Sequence, residues 1–328
     1  MSFRIIRSNI IQVKADMIVN TANPEPRIGG GTDTAIYEAA GREQLMEARR
    51  KIGMIAPGDA AVTKAYGLDA KYIAHAVSPV WIDGQHHETE QLRSCYEKSL
   101  KLAEQYRCQS IAFPLMAAGS NRFPNDIALK TALNAIQSYL MDHEMDITLV
   151  VFDRQSFELS EQVFERVASY IEDHQVAAAE EREYQYRRRR EEKYMKNSGL
   201  SSSPMLSPAM GGAWTPKKEQ TFQVRLLHLI DASGRTDPDV YKAANIDRKL
   251  FAKIRKNENY KPSKKTVIAL ALALHLSLDD TVDLLSRAGF ALSPSVVFDL
   301  VIRYCLENDI YNIFEVNALL FKFDQETL

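Results

Sequence analysis

The first half of the chain alternates between short apolar runs and longer amphipathic stretches. The short runs predict strands at 3–7, 17–19, 71–77, 110–115 and 147–152, with a loop and a further strand over 54–63. Apolar positions three or four residues apart predict helices that begin near 35 and at 42–52, 88–106, 125–141 and 157–173. Strands that alternate with helices predict an α/β fold with helices on both faces of one sheet.

The last hundred residues show helical spacing only. The pattern predicts helices at 222–233, 237–244, 247–256, 263–274, 278–288, 293–308 and 313–320. Pro238 and Ser263 are typical of helix starts, and Gly289 is typical of a helix end. We therefore predict a separate all-α domain over 221–328.

Between these halves, the composition changes at about residue 176. Glutamates and arginines fill 180–192, so this stretch is predicted to extend the preceding helix, with Arg187–Arg190 as a basic patch. Because the flanking glutamates cancel most of that charge, a solvated helix is favoured over a nucleic-acid or acidic-protein contact. Residues 197–220 are rich in Ser, Pro and Gly and are predicted to be a flexible linker. The predicted organisation is an α/β domain at 1–175, a charged helix and linker at 176–220, and a helical domain at 221–328.

The overall composition is that of an ordinary soluble globular protein, with 45% hydrophobic and 26% charged residues and a net charge of −2. The three cysteines lie far apart without metal-ligand spacing, which is typical of free thiols in a reducing cytoplasm. No stretch approaches the ~20 apolar residues of a membrane helix, and 1–7 lacks the apolar run of a signal peptide. We expect a cytoplasmic protein without a membrane segment, a metal or a cofactor.

The richest chemistry follows the predicted strand at 17–19. The strand ends in Asn20 and Asn23, and the glycines of 29–31 and Asp33 follow just before a predicted helix. A strand, a glycine turn and a helix N-terminus form an anion-binding geometry, because backbone N–H groups can approach a phosphate there. A second loop, 116–124, follows the strand at 110–115. Ligands of open α/β sheets bind beyond the carboxyl ends of strands, where both loops emerge.

These features resemble the macrodomain, the module that binds ADP-ribose. The family pattern is N-x-A-N, a glycine run and an acid ten positions after the second Asn, and it matches Asn20-Thr21-Ala22-Asn23, Gly29–Gly31 and Asp33. The segments 71–79 and 110–119 also match, so the resemblance covers about 1–175. It implies a mixed sheet between helices, with the diphosphate held by the backbone of both loops.

The resemblance also implies roles for individual residues. Asn23 and Asp33 are the implied catalytic pair, with Asn23 on the distal ribose and Asp33 on the attacking water. Asp33 as a helix cap near Thr34 is the structural alternative. The implied ligand contacts are Asn9, Ile10, Asn20, Gly29, Gly30, Gly31, Thr32, Ala117, Ala118, Gly119, Ser120, Asn121, Arg122 and Phe123. Asn9 stands where the family has an Asp that accepts from adenine, so it is expected to bind adenine more weakly or to serve only as a turn residue.

The second loop departs from the family pattern. Two hydroxyl residues are missing, Asn121 replaces an aromatic that covers the ribose, and Arg122 replaces a glycine. Either Phe123 covers the sugar instead or Arg122 pairs with a phosphate; otherwise turnover is expected to suffer more than binding. We expect either a hydrolase that removes ADP-ribose from acid-linked protein or acetyl groups, or a non-catalytic reader of ADP-ribosylated protein.

The segment 240–256 resembles a helix-turn-helix of the repressor type, because two short predicted helices are broken at Asn245. Between Arg235 and Lys265, ten residues are basic and four are acidic, which favours contact with a DNA backbone. The DNA contacts would be Arg248, Lys249 and Lys253. Such a protein would be a regulator with the macrodomain as ligand sensor. A helical bundle that binds a protein partner needs the same apolar core, so both alternatives stay open.

Overall fold

The computed structural model describes residues 2–152, 161–197 and 220–328. Its centre is a six-stranded sheet in the order β1-β6-β5-β2-β4-β3. The strands are β1 (Ser2–Arg7), β2 (Met17–Thr21), β3 (Asp59–Lys64), β4 (Tyr72–Val77), β5 (Ser110–Pro114) and β6 (Asp146–Val151). β3 is antiparallel to β4 and the other pairs are parallel, so the mixed sheet expected from the sequence is confirmed.

Both faces of the sheet are covered by helices, because successive strand residues point to opposite sides. α1 (Thr32–Ala40) and α2 (Arg42–Ile52) cover one face, and α3 (Glu88–Gln105) and α4 (Asn125–Asp142) cover the other. In β2, Ile18 packs with α1 and α2, whereas its neighbour Val19 belongs to the core under α3 and α4. The carboxyl ends of the parallel strands stay uncovered by these helices and carry the loops expected to bind the ligand.

A long helix, α5 (Glu161–Asn197), leaves the α/β domain. Val167 and Ile171 are buried in its first part, whereas all described side chains over 181–189 are exposed. The predicted charged helix is therefore continuous with the helix before it across the predicted boundary at 175. The predicted linker lies outside the described residues, apart from its two ends.

The C-terminal part consists of helices, as predicted. They are α6 (Phe222–Ser233), α7 (Asp237–Ala243), α8 (Arg248–Lys256), α9 (Lys264–Ala273), α10 (Leu278–Arg287), α11 (Val297–Glu307) and α12 (Ile313–Lys322). Hydroxyl side chains cap several of these helices by accepting a backbone N–H, among them Thr221, Thr236, Ser263 and Ser277. α9 is buried from Val267 to Ala273, so it forms the centre of this bundle.

The helical bundle packs against the outer edge of β1. Asn245, in the turn between α7 and α8, adopts a left-handed conformation with φ of 52°. Its side-chain oxygen accepts the N–H of Phe3 and its amide donates to the C=O of Phe3, both at 2.8 Å. The Phe3 ring lies 4.8 Å from that of Phe314, and Lys242 donates to the C=O of Met141. An exposed strand edge invites unwanted pairing, and the Asn245 amide covers it here.

Among the described residues, none of the helices combines the length and the apolar composition that crossing a membrane requires.

Candidate functional site

A cavity of about 370 Å³ lies at the carboxyl ends of β2 and β5. It is lined by Thr21, Ala22, Asn23, Gly29, Gly30, Gly31, Thr32, Asp33, Ser78, Leu115, Ala117, Gly119, Ser120 and Asn121. The structure thus brings together the two loops that are far apart in the sequence. No lysine or arginine lines the cavity among the described residues, so an anion there would be held by neutral donors: backbone N–H groups, the start of α1, and the hydroxyl and amide side chains of the lining.

The glycine loop is folded back onto the first turn of α1. The N–H of Gly29 donates to Asp33 Oδ2 at 2.5 Å, and the Thr34 hydroxyl donates to the C=O of Gly29. A Cβ atom at Gly29 would lie 2.7 Å from Asn23 Nδ2, which explains why the smallest residue stands there. The residue that precedes α1 is Gly31, with φ of 60°. Asp33 is therefore inside the helix, and the alternative that it caps a helix starting near Thr34 is wrong.

Asp33 is a buried carboxylate, with 2% of its surface exposed. Its Oδ1 accepts from Asn20 Nδ2 at 2.6 Å. Burial raises the pKa of Asp33, and the donors from Gly29 and Asn20 together with the charge of Arg49 oppose that rise. Each carboxylate oxygen can accept more than one hydrogen bond, so both retain capacity for a group in the cavity.

A buried arginine, Arg49, stabilises the backbone of the loop that follows β2. Arg49 in α2 is 1% exposed and donates to the C=O groups of Asn23 and Pro24 at 3.0 and 2.9 Å, and to that of Gly53. These bonds hold the backbone of Asn23, whose own amide donates to the C=O of Arg27 at 3.3 Å. Arg49 was not predictable as a site residue, because one arginine in a charged helix gives no sequence signal that it is buried.

The second loop is tied to the end of β4 by Asn121. Its amide donates to the C=O and the hydroxyl of Ser78 and to the C=O of Pro79, at 2.9–3.0 Å. Trp81 in turn donates its N–H to the C=O of Asn121 at 2.8 Å. Asn121 therefore lines the cavity, and its side-chain NH2 group is already used in hydrogen bonds to Ser78 and Pro79.

The remaining predicted residues of this loop lie away from the cavity lining. Phe123 is 4% exposed and its ring packs 4.9 Å from that of Trp81. Arg122 is exposed with φ of 59°, and Ala118 is half-buried. In this structure neither Phe123 nor Arg122 takes the place of the missing aromatic.

Asn9 and Ile10 lie at the end of β1, further along the same edge of the sheet. The Asn9 side chain accepts the N–H of Ile11 at 3.3 Å as the cap of a 3-10 turn, and Ile10 is buried. The side-chain oxygen of Asn9 therefore stabilises the turn, and the side-chain NH2 group is not used by that hydrogen bond.

Phe152 is a residue that the sequence analysis did not single out. It follows β6, which lies between β1 and β5, and its side chain is 74% exposed. Ser8 donates its N–H to the C=O of Val151, so Phe152 lies beside the turn at Asn9. An exposed aromatic at the carboxyl end of a strand, between a turn and the cavity, suits stacking on a flat ligand. The sequence signal was its place as the last residue of the strand predicted at 147–152.

Asp83, His86 and Glu88 are close enough to hold a metal ion, with ligand atoms within 4.8 Å of one another. The Glu88 carboxylate, however, accepts the backbone N–H groups of Ile82, Asp83, Gly84 and His86. Through these bonds the Glu88 carboxylate stabilises the loop that precedes α3.

The role of Arg49 can be tested by a conservative change. Arg49→Lys is expected to lower the free energy of unfolding by about 2–4 kcal/mol, because one ammonium group cannot reach three carbonyls and leaves buried oxygens unpaired. The neighbouring Arg50→Lys, at an exposed position, is the matched control and should change it by less than about 0.5 kcal/mol. Urea denaturation measures both, and equal effects would contradict the support role.

Comparisons with known proteins place this site in a family. A model of the macro domain matches residues 19–132. A macro domain-containing protein of Caldanaerobacter subterraneus subsp. tengcongensis is 38% identical over 168 residues, which cover 50% of this chain and 96% of the relative. A second, from Chlorobaculum tepidum, is 42% identical over 147 residues, or 45% of this chain and 84% of the relative. The solved macrodomain of Oceanobacillus iheyensis with ADP is 28% identical over 46% of this chain and 84% of its own, with a TM-score of 0.45. Since the chain spans nearly the full length of relatives well above 30% identity, it belongs, through its first half, to the macro domain family.

Proposed function

We propose that the α/β domain binds ADP-ribose. The observation that carries the proposal is the cavity that residues of two loops line together with the buried Asp33. The first loop ends at the N-terminus of α1, where the helix dipole favours negative charge. A diphosphate between Gly29–Thr32 and Ala117–Asn121 would be bound by neutral donors of both loops, because no described lysine or arginine lines the cavity. Membership of the macro domain family supports the same ligand.

The two ends of the ligand would extend in opposite directions from the diphosphate. The distal ribose would lie against Asn23 and Asp33, on the β2 side of the cavity. Adenine would lie toward β1, between the turn at Asn9 and the exposed ring of Phe152. The strand order places β6, and hence Phe152, between the cavity and that turn.

Calorimetric titration with free ADP-ribose tests the binding proposal. Phe152→Ala is expected to weaken binding roughly 5- to 100-fold, because aromatic stacking on a base contributes ~1–3 kcal/mol. Met141→Ala removes another exposed apolar side chain, on α4, and should leave the affinity unchanged. A flat titration of the wild type at millimolar ligand would contradict the binding proposal. An unchanged affinity of Phe152→Ala for ADP-ribose would contradict the proposed position of adenine.

We further propose that this domain hydrolyses ADP-ribose from carboxylate groups, either an acidic side chain of a protein or acetate. Water would attack the anomeric carbon of the distal ribose while Asp33 takes its proton. The bond from that carbon to the ester oxygen would break, and the carboxylate would leave with the electron pair. The donors from Asn20 and Gly29 hold Asp33 at the cavity wall, and burial raises its pKa toward the range of a useful general base.

Release of free ADP-ribose from a peptide modified on glutamate tests this second step. Asp33→Asn is expected to slow release about 10²- to 10⁴-fold, the usual contribution of a general base, with ADP-ribose affinity within about tenfold. Asp69→Asn, an exposed acid, should behave like the wild type. Equal rates for Asp33→Asn and wild type would remove Asp33 from the mechanism. A wild type that binds ADP-ribose but releases none would favour the non-catalytic reader.

A second function is favoured by the surface of α8. Its buried side is formed by Phe251 and Ile254, while Arg248, Lys249, Lys253 and Lys256 are all exposed. Other basic residues of the region are neutralised, such as Lys264 by Asp299 at 2.6 Å. We propose that this basic surface of α8 contacts the phosphates of duplex DNA, with the macrodomain as the ligand-sensing half.

Fluorescence anisotropy with a labelled 20-base-pair duplex at 50 and 200 mM salt tests the DNA proposal. Replacing Arg248, Lys249 and Lys253 by Ala should weaken binding at least tenfold and flatten the salt dependence by about 2.7 in log–log slope. The charge-matched control replaces the exposed residues Lys101, Arg107 and Lys130. No binding at low salt, or an equal loss in the control, would dismiss the proposal.

A further inference from the structure

A chain of buried polar side chains runs beneath Asp33 across three adjacent strands. Asn20 in β2 and His75 in β4 are register partners. Ala61 in β3 is the partner of His75, and Thr63 lies two residues further, so its side chain is on the same face. This face is the one covered by α1, which carries Asp33.

The contacts along this chain are continuous. Thr63 Oγ1 lies 2.9 Å from His75 Nε2, His75 Nδ1 lies 3.2 Å from Asn20 Nδ2, and Asn20 Nδ2 lies 2.6 Å from Asp33 Oδ1. Asn20 and His75 are fully buried, and Thr63 is 8% exposed. Buried polar groups that form one network restrict one another more than isolated pairs do.

The contacts select one tautomer of His75. The Asp33 carboxylate requires a donor, so the Asn20 amide must present its nitrogen to it. The same nitrogen faces His75 Nδ1, which must therefore be an acceptor without a proton. The proton is then on Nε2 and is donated to the Thr63 hydroxyl. Burial and the charge of Arg49 lower the pKa of His75 to about 3, which keeps the ring neutral.

The orientation of Asn20 depends on this arrangement. Its oxygen Oδ1 is buried and has no hydrogen-bond partner among the described residues. Within the described part of the chain, the amide is therefore oriented only by the two hydrogen bonds that Asn20 Nδ2 donates, to His75 and to Asp33. If the amide rotated by 180°, the oxygen would face the carboxylate and repel it.

We propose that His75 and Thr63 are positioning residues for Asp33, acting through the Asn20 amide. The proposal deepens the proposed hydrolysis and rests on it, because it assigns the network to the carboxylate that would take the proton from water. Neither residue is part of the cavity lining. The network holds Oδ1 of Asp33 through the Asn20 amide, while Oδ2 accepts the Gly29 N–H of the glycine loop.

Thr63→Val is the sharpest test, since it keeps the shape and removes the acceptor for Nε2–H. The Nδ1–H tautomer then becomes accessible, and the Asn20 amide can turn its oxygen toward Asp33. We expect the rate of ADP-ribose release to fall about 10- to 100-fold, by analogy with the residues that orient metal-binding side chains through hydrogen bonds. ADP-ribose affinity should stay within about twofold, because backbone N–H groups bind the diphosphate. Thr63→Ser keeps the hydroxyl and should restore the rate.

The pH profile provides a second readout. The Asn20 donor stabilises the charged form of Asp33, so its loss raises the pKa of that carboxyl. The acidic limb of the rate profile should therefore move to higher pH in Thr63→Val and return in Thr63→Ser. The other charged or titratable groups facing Asp33, Arg49 and Tyr37, are the same in all variants.

Nitrogen-15 NMR of the labelled histidines, with His75→Gln to assign the signal, measures the tautomer in the wild type directly. A proton on Nδ1, or an unchanged rate and pH profile in Thr63→Val, would overturn the proposal. A parallel loss of rate, affinity and stability that Thr63→Ser does not restore would also overturn it in favour of a merely structural role. If the wild type releases no ADP-ribose, the hydrolysis proposal fails on its own. In that case two measurements still decide whether the network positions the carboxylate. They are the tautomer of His75, from nitrogen-15 NMR, and the pKa of Asp33 in Thr63→Val, from carbon-13 NMR.

Discussion

The rest of the site depends on the hydrogen bonds that the buried carboxylate of Asp33 accepts. By accepting the Gly29 N–H and the Asn20 amide, this carboxylate joins the glycine loop, the end of β2 and the first turn of α1 into one unit. A buried carboxylate is costly unless hydrogen-bonded, so the loop that supplies a donor is held in place by the same bond. Arg49 adds the second constraint by holding the backbone at Asn23. The backbone of the glycine loop is thus held in one arrangement by the protein itself.

The edge of β1 is one of the places where the two halves of the chain meet, together with α4 and α5. A side-chain amide carries the same donor and acceptor as a peptide group, so Asn245 continues the hydrogen bonding of the sheet for one residue. The turn between α7 and α8 thereby packs against the α/β domain, while α8 keeps its basic side exposed. β1 contacts the helical bundle at Phe3 and ends in the turn at Asn9. One short strand therefore runs from the helical half to the edge of the sheet at which the cavity lies.

Much of the fold follows from local pattern. The alternation of apolar runs with amphipathic stretches is enough for the sheet-and-helix organisation, because burial on both faces of the strands requires such runs. The C-terminal helices were predicted closely, since caps such as Thr221 and Ser263 and the 3.6-residue spacing are properties of short segments. The motif from Asn20 to Asp33 likewise identified the first loop, because a strand, glycines and a helix start are adjacent in the chain.

What the sequence determined by itself was therefore the order and kind of elements and the two loops that form the cavity. Only the tertiary structure decided that Arg49 is buried while Arg50 is exposed, and that Phe123 joins the core while Phe152 faces solvent. It also decided that Asn20, His75 and Thr63 meet beneath Asp33. These outcomes depend on which distant segments pack over each side chain, and neighbouring residues with the same chemistry carry no local sign of that choice.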